Sequence, residues 1–220
     1  MAWLFDAASN EYIDFGNPSY FDITGDLTLS IWGKPNDTGA ERKLFAKWAD
    51  AGGQFSYLLS ILSDGTLQGV INTGANDVVN GTTDLDDGEY HHLAFTYDGS
   101  NLLLYVDGIE EDSVGASGSI TSTTAPVRIG AGSGGLGTEQ PYDGEAGHGA
   151  IWDAALTPSE IASLAKGVNP LLIRRGSLKS YPPLNGQSPE YDVVGGASGI
   201  VTGAVVVGEP PIPHSIVAPG

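Results

Sequence analysis

The chain has 220 residues and no cysteine, so its core needs no disulfide, and cysteine-held zinc, iron–sulfur clusters and a cysteine nucleophile are excluded. Nine Lys and Arg against 27 Asp and Glu leave a net charge of −18; a chain this acidic repels phosphate backbones and anionic lipid, so no nucleic acid and no membrane surface is expected as partner. No apolar run approaches the roughly 20 residues of a membrane span, and Met1–Asp6 lacks the basic and apolar stretches of a signal peptide.

Thirty-two Gly and 13 Pro among many Thr, Ser, Val and Tyr predict short strands joined by tight turns. Trp3–Asp6, Tyr12–Phe15, Leu27–Ile31 and Leu44–Lys47 read as strands, Leu27–Ile31 with apolar residues at every second place. Tyr57–Leu62 and Thr66–Ile71 flank Ser63-Asp64-Gly65 as a hairpin, and Leu102–Val106 and Ile109–Glu111 flank Asp107-Gly108 as another. Asp-Gly supplies the positive φ values that a type I′ turn requires. Between them, Tyr90–Tyr97 puts Leu93, Phe95 and Tyr97 on one face and Tyr90, His92, Ala94 and Thr96 on the other. The adjacent His91 and His92 therefore point apart and cannot chelate one ion; they read as hydrogen-bonded sheet residues, while His148 and His214 are isolated.

Val127–Gly130 and Ala150–Trp152 are further strands, and Trp32 and Trp152 fall in strand patterns as core. The Gly-rich run Gly130–Gly137 has no helix after it, so it reads as a flexible loop rather than a phosphate cradle. Thr157-Pro158-Ser159-Glu160 is a capping box with proline at the first helical position, Ile161, Leu164 and Ala165 form an apolar stripe, and Gly167 follows: one short helix is predicted over 158–166. The expectation is an all-β antiparallel sandwich over 1–168 and an appendix over 169–220, ending in a Pro-rich extended arm over Glu209–Gly220.

Phe5-Asp6, Leu29-Ser30-Ile31-Trp32 and Leu44-Phe45-Ala46-Lys47-Trp48 resemble the opening strands of laminin-G-like domains of the concanavalin A-like superfamily. Asp87-Gly88-Glu89-Tyr90-His91-His92 through Tyr97-Asp98-Gly99, Leu104–Gly108, and Gly144-Glu145 through Ile151-Trp152 to Ile161 resemble its later strands and terminal helix. The resemblance covers about residues 3–166 and implies a jelly roll. His148 stands near a place where the family often carries an acid. The tail Tyr181-Pro182-Pro183-Leu184-Asn185-Gly186 through Asp192 resembles a tail that follows such domains in bacteriophage and marine viral proteins.

The superfamily includes glucanases, which need two carboxylates flanking the scissile bond; the resembling enzymes carry them as Glu-x-Asp-x-Glu along one strand. Neither Glu110-Glu111-Asp112 nor Asp143-Gly144-Glu145 fits that string, so no catalysis is expected. No other cofactor is implied, but the resemblance suggests a rim Ca²⁺ held by oxygen ligands. Asp37, Asp50, Asn76, Asp77, Asp86 and Asp87 offer them, Asp37 and Asp77 first, though the same residue types are ordinary turn formers. For a glycan the candidates are Trp48, at a loop edge although packing is its favoured reading, with Asp50, Asn76 and Asp77. The expected function is that of a virion decoration or adhesion protein displayed on a phage particle, possible contacts with host-surface glycans included. Arg174, Arg175, Tyr181, Pro182 and Pro183 would dock on other virion proteins or on copies of itself. The alternative is a calcium-dependent lectin module at a bacterial cell surface.

Overall fold

A computed structural model describes residues 1–134 and 137–208, with the backbone alone for residues 137–139. The arm over 209–220, His214 and the middle of the Gly-rich run lie outside the described residues. In chain order the strands are β1 (Ala2–Phe5), β2 (Tyr12–Asp14), β3 (Leu27–Pro35), β4 (Arg42–Ala49), β5 (Gln54–Ile61), β6 (Leu67–Asn72), β7 (Asn76–Asn80), β8 (His91–Tyr97) and β9 (Asn101–Val106). They continue as β10 (Ile109–Gly115), β11 (Val127–Ile129), β12 (Gly132–Gly134), β13 (Gly137–Glu139), β14 (Gly144–Trp152), β15 (Leu178–Ser180), β16 (Glu190–Tyr191), β17 (Ser198–Thr202) and β18 (Val205–Val207). Helix α1 (Pro158–Ala165) carries the capping box read from the sequence, Thr157 and Glu160 each bonding the other's backbone N–H.

Two antiparallel eight-stranded sheets form the sandwich. The first runs β10-β9-β8-β3-β14-β1-β18, with β15 also on β14; the second runs β16-β17-β2-β11-β4-β5-β6-β7. Period two drives the inner faces together. Leu27, Leu29 and Ile31 of β3 and Leu93, Phe95 and Tyr97 of β8 meet Phe45, Tyr57, Leu59, Ile71 and Ile129 of the second sheet in one apolar cluster. Asp107 and Gly108 have φ of 51° and 80°, as a type I′ turn requires.

The residues after 168 do not stand apart from this sandwich. β15 pairs with β14, β17 with β2 and β18 with β1, so the returning chain supplies strands to both sheets. A boundary at 168 therefore does not mark the edge of the sheets. The Gly-rich run is not a plain loop either: β12 and β13 pair as a hairpin, and the Arg128 guanidinium on β11 donates to the Gly132 carbonyl.

The outer face of the first sheet carries a second, smaller core. Ala94, Tyr105, Ala150 and Trp152 point outward and are covered by Leu156, Ile161 and Leu164 of the α1 region and by Leu178 and Tyr181. Thr28 is sealed beneath this layer, its hydroxyl donating to Ala154 O and accepting from Leu156 N. The layer ends one step further along β3.

Candidate functional site

The loop residues favoured by the sequence are occupied by the protein itself. Trp48 is 5% exposed, stacked on Phe55 with ring centroids 4.5 Å apart and packed with Ala46, Leu58 and Val70. Its indole N–H donates to Asp50 Oδ1 at 2.8 Å, and the Lys43 ammonium bonds Asp50 Oδ2 at 2.9 Å. No ring face is left for a sugar, so packing, and not glycan contact, is what Trp48 does here. Asn76 accepts from the Asn72 amide and Asp77 from the Thr73 hydroxyl, both within the β6–β7 hairpin rather than in a free loop.

The two acids expected first for calcium are separated by the topology. Asp37 precedes β4, whose first residue pairs with the end of β5; the β6–β7 hairpin holding Asp77 lies beyond the other end of those strands. They cannot share an ion. Among the described residues no three His, Asp or Glu side chains gather to hold a metal, and Asp50 and Asp86 are already bonded to Lys43 and Arg42. These donors do not fit a rim Ca²⁺.

The docking residues divide between surface and interior. Arg174 clasps Glu160 at the start of α1 and donates to Ala155 O at 2.9 Å. Tyr181 is 3% exposed within the second core, Pro182 is buried and Pro183 half-buried; Arg175 is exposed. Tyr181, Pro182 and Pro183 therefore pack the chain onto its own sandwich, while Arg174, although paired with Glu160, and Arg175 stay exposed.

The two histidines behave as sheet residues. His92 bonds Ser30 Oγ through Nε2 at 2.8 Å, and burial lowers its pKa to about 4, so it is neutral near pH 7. His91 lies between Asp107 and Asp87, whose carboxylates, Asp107 foremost, raise its pKa.

Trp32 is where the open chemistry lies. It shares the outward parity of Thr28 and Ser30 on β3, not the inward parity of Leu29 and Ile31, and it emerges half-buried where the covering layer stops. Its place is therefore not in the core, unlike that of Trp152. Across β8 its neighbour is His92, edge to face at 5.5 Å; across β14 its neighbour is Gly147, which has no side chain to cover the indole. The other three tryptophans bury their indole N–H on internal acceptors: Trp3 on Glu190, Trp48 on Asp50 and Trp152 on Ile173 O. The Trp32 N–H has no partner among the described residues.

One row further along the same face come Tyr90, Lys34 and Glu145. Lys34 pairs with Glu145 in register across β14. Its ammonium lies 3.9 Å from the Glu145 carboxylate and 5.9 Å from the centre of the Tyr90 ring. The Tyr90 hydroxyl donates to Glu145 Oε2, and burial, then this bond, holds the phenol far above its ordinary pKa. The patch thus sets an aromatic ring with a free donor beside a cation, a carboxylate and a phenol.

A cleft of about 460 Å³ at the opposite rim is lined by Ser19, Tyr20, Asp22, Thr24, Asp153 and Lys179 among others. Its polar groups largely serve one another: Lys179 bonds Asp153 at 2.6 Å, Asp22 pairs with Lys47, and the Tyr20 hydroxyl bonds Asp192.

Residues 7–162 match the Laminin_G_3 profile, described as concanavalin A-like lectin/glucanases superfamily. No curated protein matches the sequence. Among solved structures, a Bacteroides ovatus protein provisionally named as carbohydrate-binding superposes with a TM-score of 0.72 at 19% identity, over 93% of this chain and 58% of the other. This chain thus spans under two thirds of that protein. The heptameric SAP-like pentraxin of Limulus polyphemus superposes with a TM-score of 0.63 at 19% identity, over 96% and 95%. The CBM40 of the Ruminococcus gnavus IT-sialidase, bound to α2,3 sialyllactose, gives 0.58 at 13% identity, over 66% and 85%. At these identities the likeness is one of fold.

Proposed function

Because this chain belongs to the concanavalin A-like lectin/glucanases superfamily, we propose that it binds carbohydrate without catalysis, holding a saccharide against the indole of Trp32. The observation that carries the reading is the one tryptophan whose N–H is unpaired among the described residues, half-buried on the outer face of the first sheet opposite Gly147. A sugar ring has an apolar C–H face and a rim of hydroxyls. Indole supplies the apolar plane, and a few placed polar groups supply orientation. Here the Trp32 N–H and the Lys34 ammonium donate, and Glu145 accepts. His92, held by Ser30, fixes the edge of the indole, so little side-chain freedom is lost on binding. The names of two of the solved neighbours, the Bacteroides ovatus protein and the sialyllactose-bound CBM40, support a carbohydrate ligand.

The test is binding to a printed array of neutral and acidic glycans, followed by calorimetry on the best ligand, with Trp32→Ala in parallel. Losing a central aromatic anchor costs about 2 kcal/mol or more, some thirtyfold in affinity, while far-ultraviolet circular dichroism should be unchanged. Equal binding by the variant would overturn the assignment. Display on a virus particle is a separate proposal that rests on the tail sequence. Co-sedimentation with intact particles tests it, and recovery of the chain only as free or cell-surface protein overturns it.

A further inference from the structure

We infer that the Trp32 face selects uncharged saccharides and disfavours those bearing a carboxylate or sulfate, an inference that rests on the reading of that face as the sugar site. Anionic sugars are read best by a guanidinium fork, which meets both oxygens at once. The chain has four arginines, and the structure places none of them here. Arg42 is bound to Asp86, Arg128 to Asp14, and Arg174 to Glu160. Arg175 follows α1 two residues after Ile173, whose carbonyl holds Trp152. Trp152 pairs with Thr28, four residues and about 13 Å along β3 from Trp32.

The cation that is present is already matched. Lys34 sits against Glu145 and over the Tyr90 ring, so a bound anion would have to compete with a carboxylate fixed in register on the next strand. His92 adds no charge near pH 7, because burial keeps it neutral. Beyond the pair the surroundings are acidic: Asp87 and Asp107 flank His91 at the end of β8, Asp143 stands two residues from Glu145, and the molecule carries −18. An anionic sugar therefore loses hydration and gains no uncompensated cation. A hydroxyl-rich neutral sugar uses the Trp32 N–H, Lys34 and Glu145 as they stand.

The experiment titrates the full chain with lactose and with 3′-sialyllactose at low and high salt, followed by the same array of neutral and sialylated glycans, using wild type, Trp32→Ala and Glu145→Gln. Wild type should bind the neutral member of each pair at least about threefold more tightly at low salt, the effect of one charge at about 6 Å in water, with the gap closing as salt rises. Glu145→Gln keeps an acceptor for Tyr90 and leaves Lys34 uncompensated, so it should narrow or reverse the preference by about the same factor. Trp32-dependent binding in which wild type takes the sialylated member equally or more tightly overturns the selectivity and leaves the site assignment standing. Failure of any glycan to bind in a Trp32-dependent way overturns the site assignment, and this inference with it.

Discussion

Replacing Gly108 by alanine probes the contact that seats helix α1 on the first sheet. Gly108 closes the β9–β10 turn at φ 80°, and a Cβ built there lies 2.8 Å from Ala162 Cα and 3.0 Å from Ala165 Cβ. Two costs add. Holding an L-residue in the left-handed region costs about 1–2 kcal/mol, and pushing a methyl into a packed helix backbone costs about 1–3 kcal/mol, so the expected loss is about 2–5 kcal/mol. Gly88 separates the two costs, because it sits at φ 81° with nothing within 4 Å of its Cβ position; Gly88→Ala carries the dihedral cost alone. The assay is urea unfolding followed by tryptophan fluorescence. At slopes of about 2–3 kcal/mol per molar, Gly108→Ala should lower the midpoint by about 1 M or more, and Gly88→Ala by about half that. Equal shifts in the two variants would refute the claim that the hairpin tip bears on the helix.

Other consequences follow from the buried ionisable groups. His91 has its pKa raised by Asp107 and then Asp87, so its contribution is complete below the ordinary histidine value near 6.5 and is lost as pH rises through the raised folded value. His92 works the other way: lowered to about 4, it stays neutral while the unfolded chain takes up a proton, so stability falls as pH drops from about 6.5 towards 4. Asp107→Asn should therefore flatten the decline of Tm above pH 6.5; an unchanged alkaline slope would remove His91 from the account. Lys47 is fully buried, with its ammonium on Asn17, Thr123 O, Ala125 O and Asp22. Lys47→Met should cost about 3 kcal/mol or more in urea unfolding, because it strands two carbonyls and a carboxylate; a loss under 1 kcal/mol would contradict that role.

Much of the fold was legible because its signals are local. The alternation in β3, β8 and β9, the Asp107-Gly108 turn and the Thr157–Glu160 box each act within a few residues, and the family resemblance joined them into a sandwich. Two strands after 168 were hidden for the opposite reason. β15 and β17 have three and five residues and pair with strands made earlier in the chain, so neither period nor turn chemistry marks them, whereas Gly203–Val207 reads as strand-like and only its partner, β1, is not legible. Trp32 was misplaced although a signal existed. It follows Thr28 and Ser30 in step, and that parity alone puts it on the outer face; sequence alternation does not tell how far a second layer covers that face. At Trp48, where packing was the favoured reading, the Phe55 ring and the Asp50 carboxylate claim the indole across the β4–β5 hairpin.

The pairing of β1 with β18 also sets an order of events during synthesis. Trp3 lies opposite Val206, so the first strand of the chain is not flanked on both sides until some 200 further residues have been made. At 5–20 residues per second that is a wait of roughly 10–40 s. During that interval β1 and β2 each expose an unpaired edge to the crowded surroundings of the ribosome. The acidic character of the chain, which has no bearing on the strand ladder itself, then keeps neighbouring nascent copies apart until the last strands arrive.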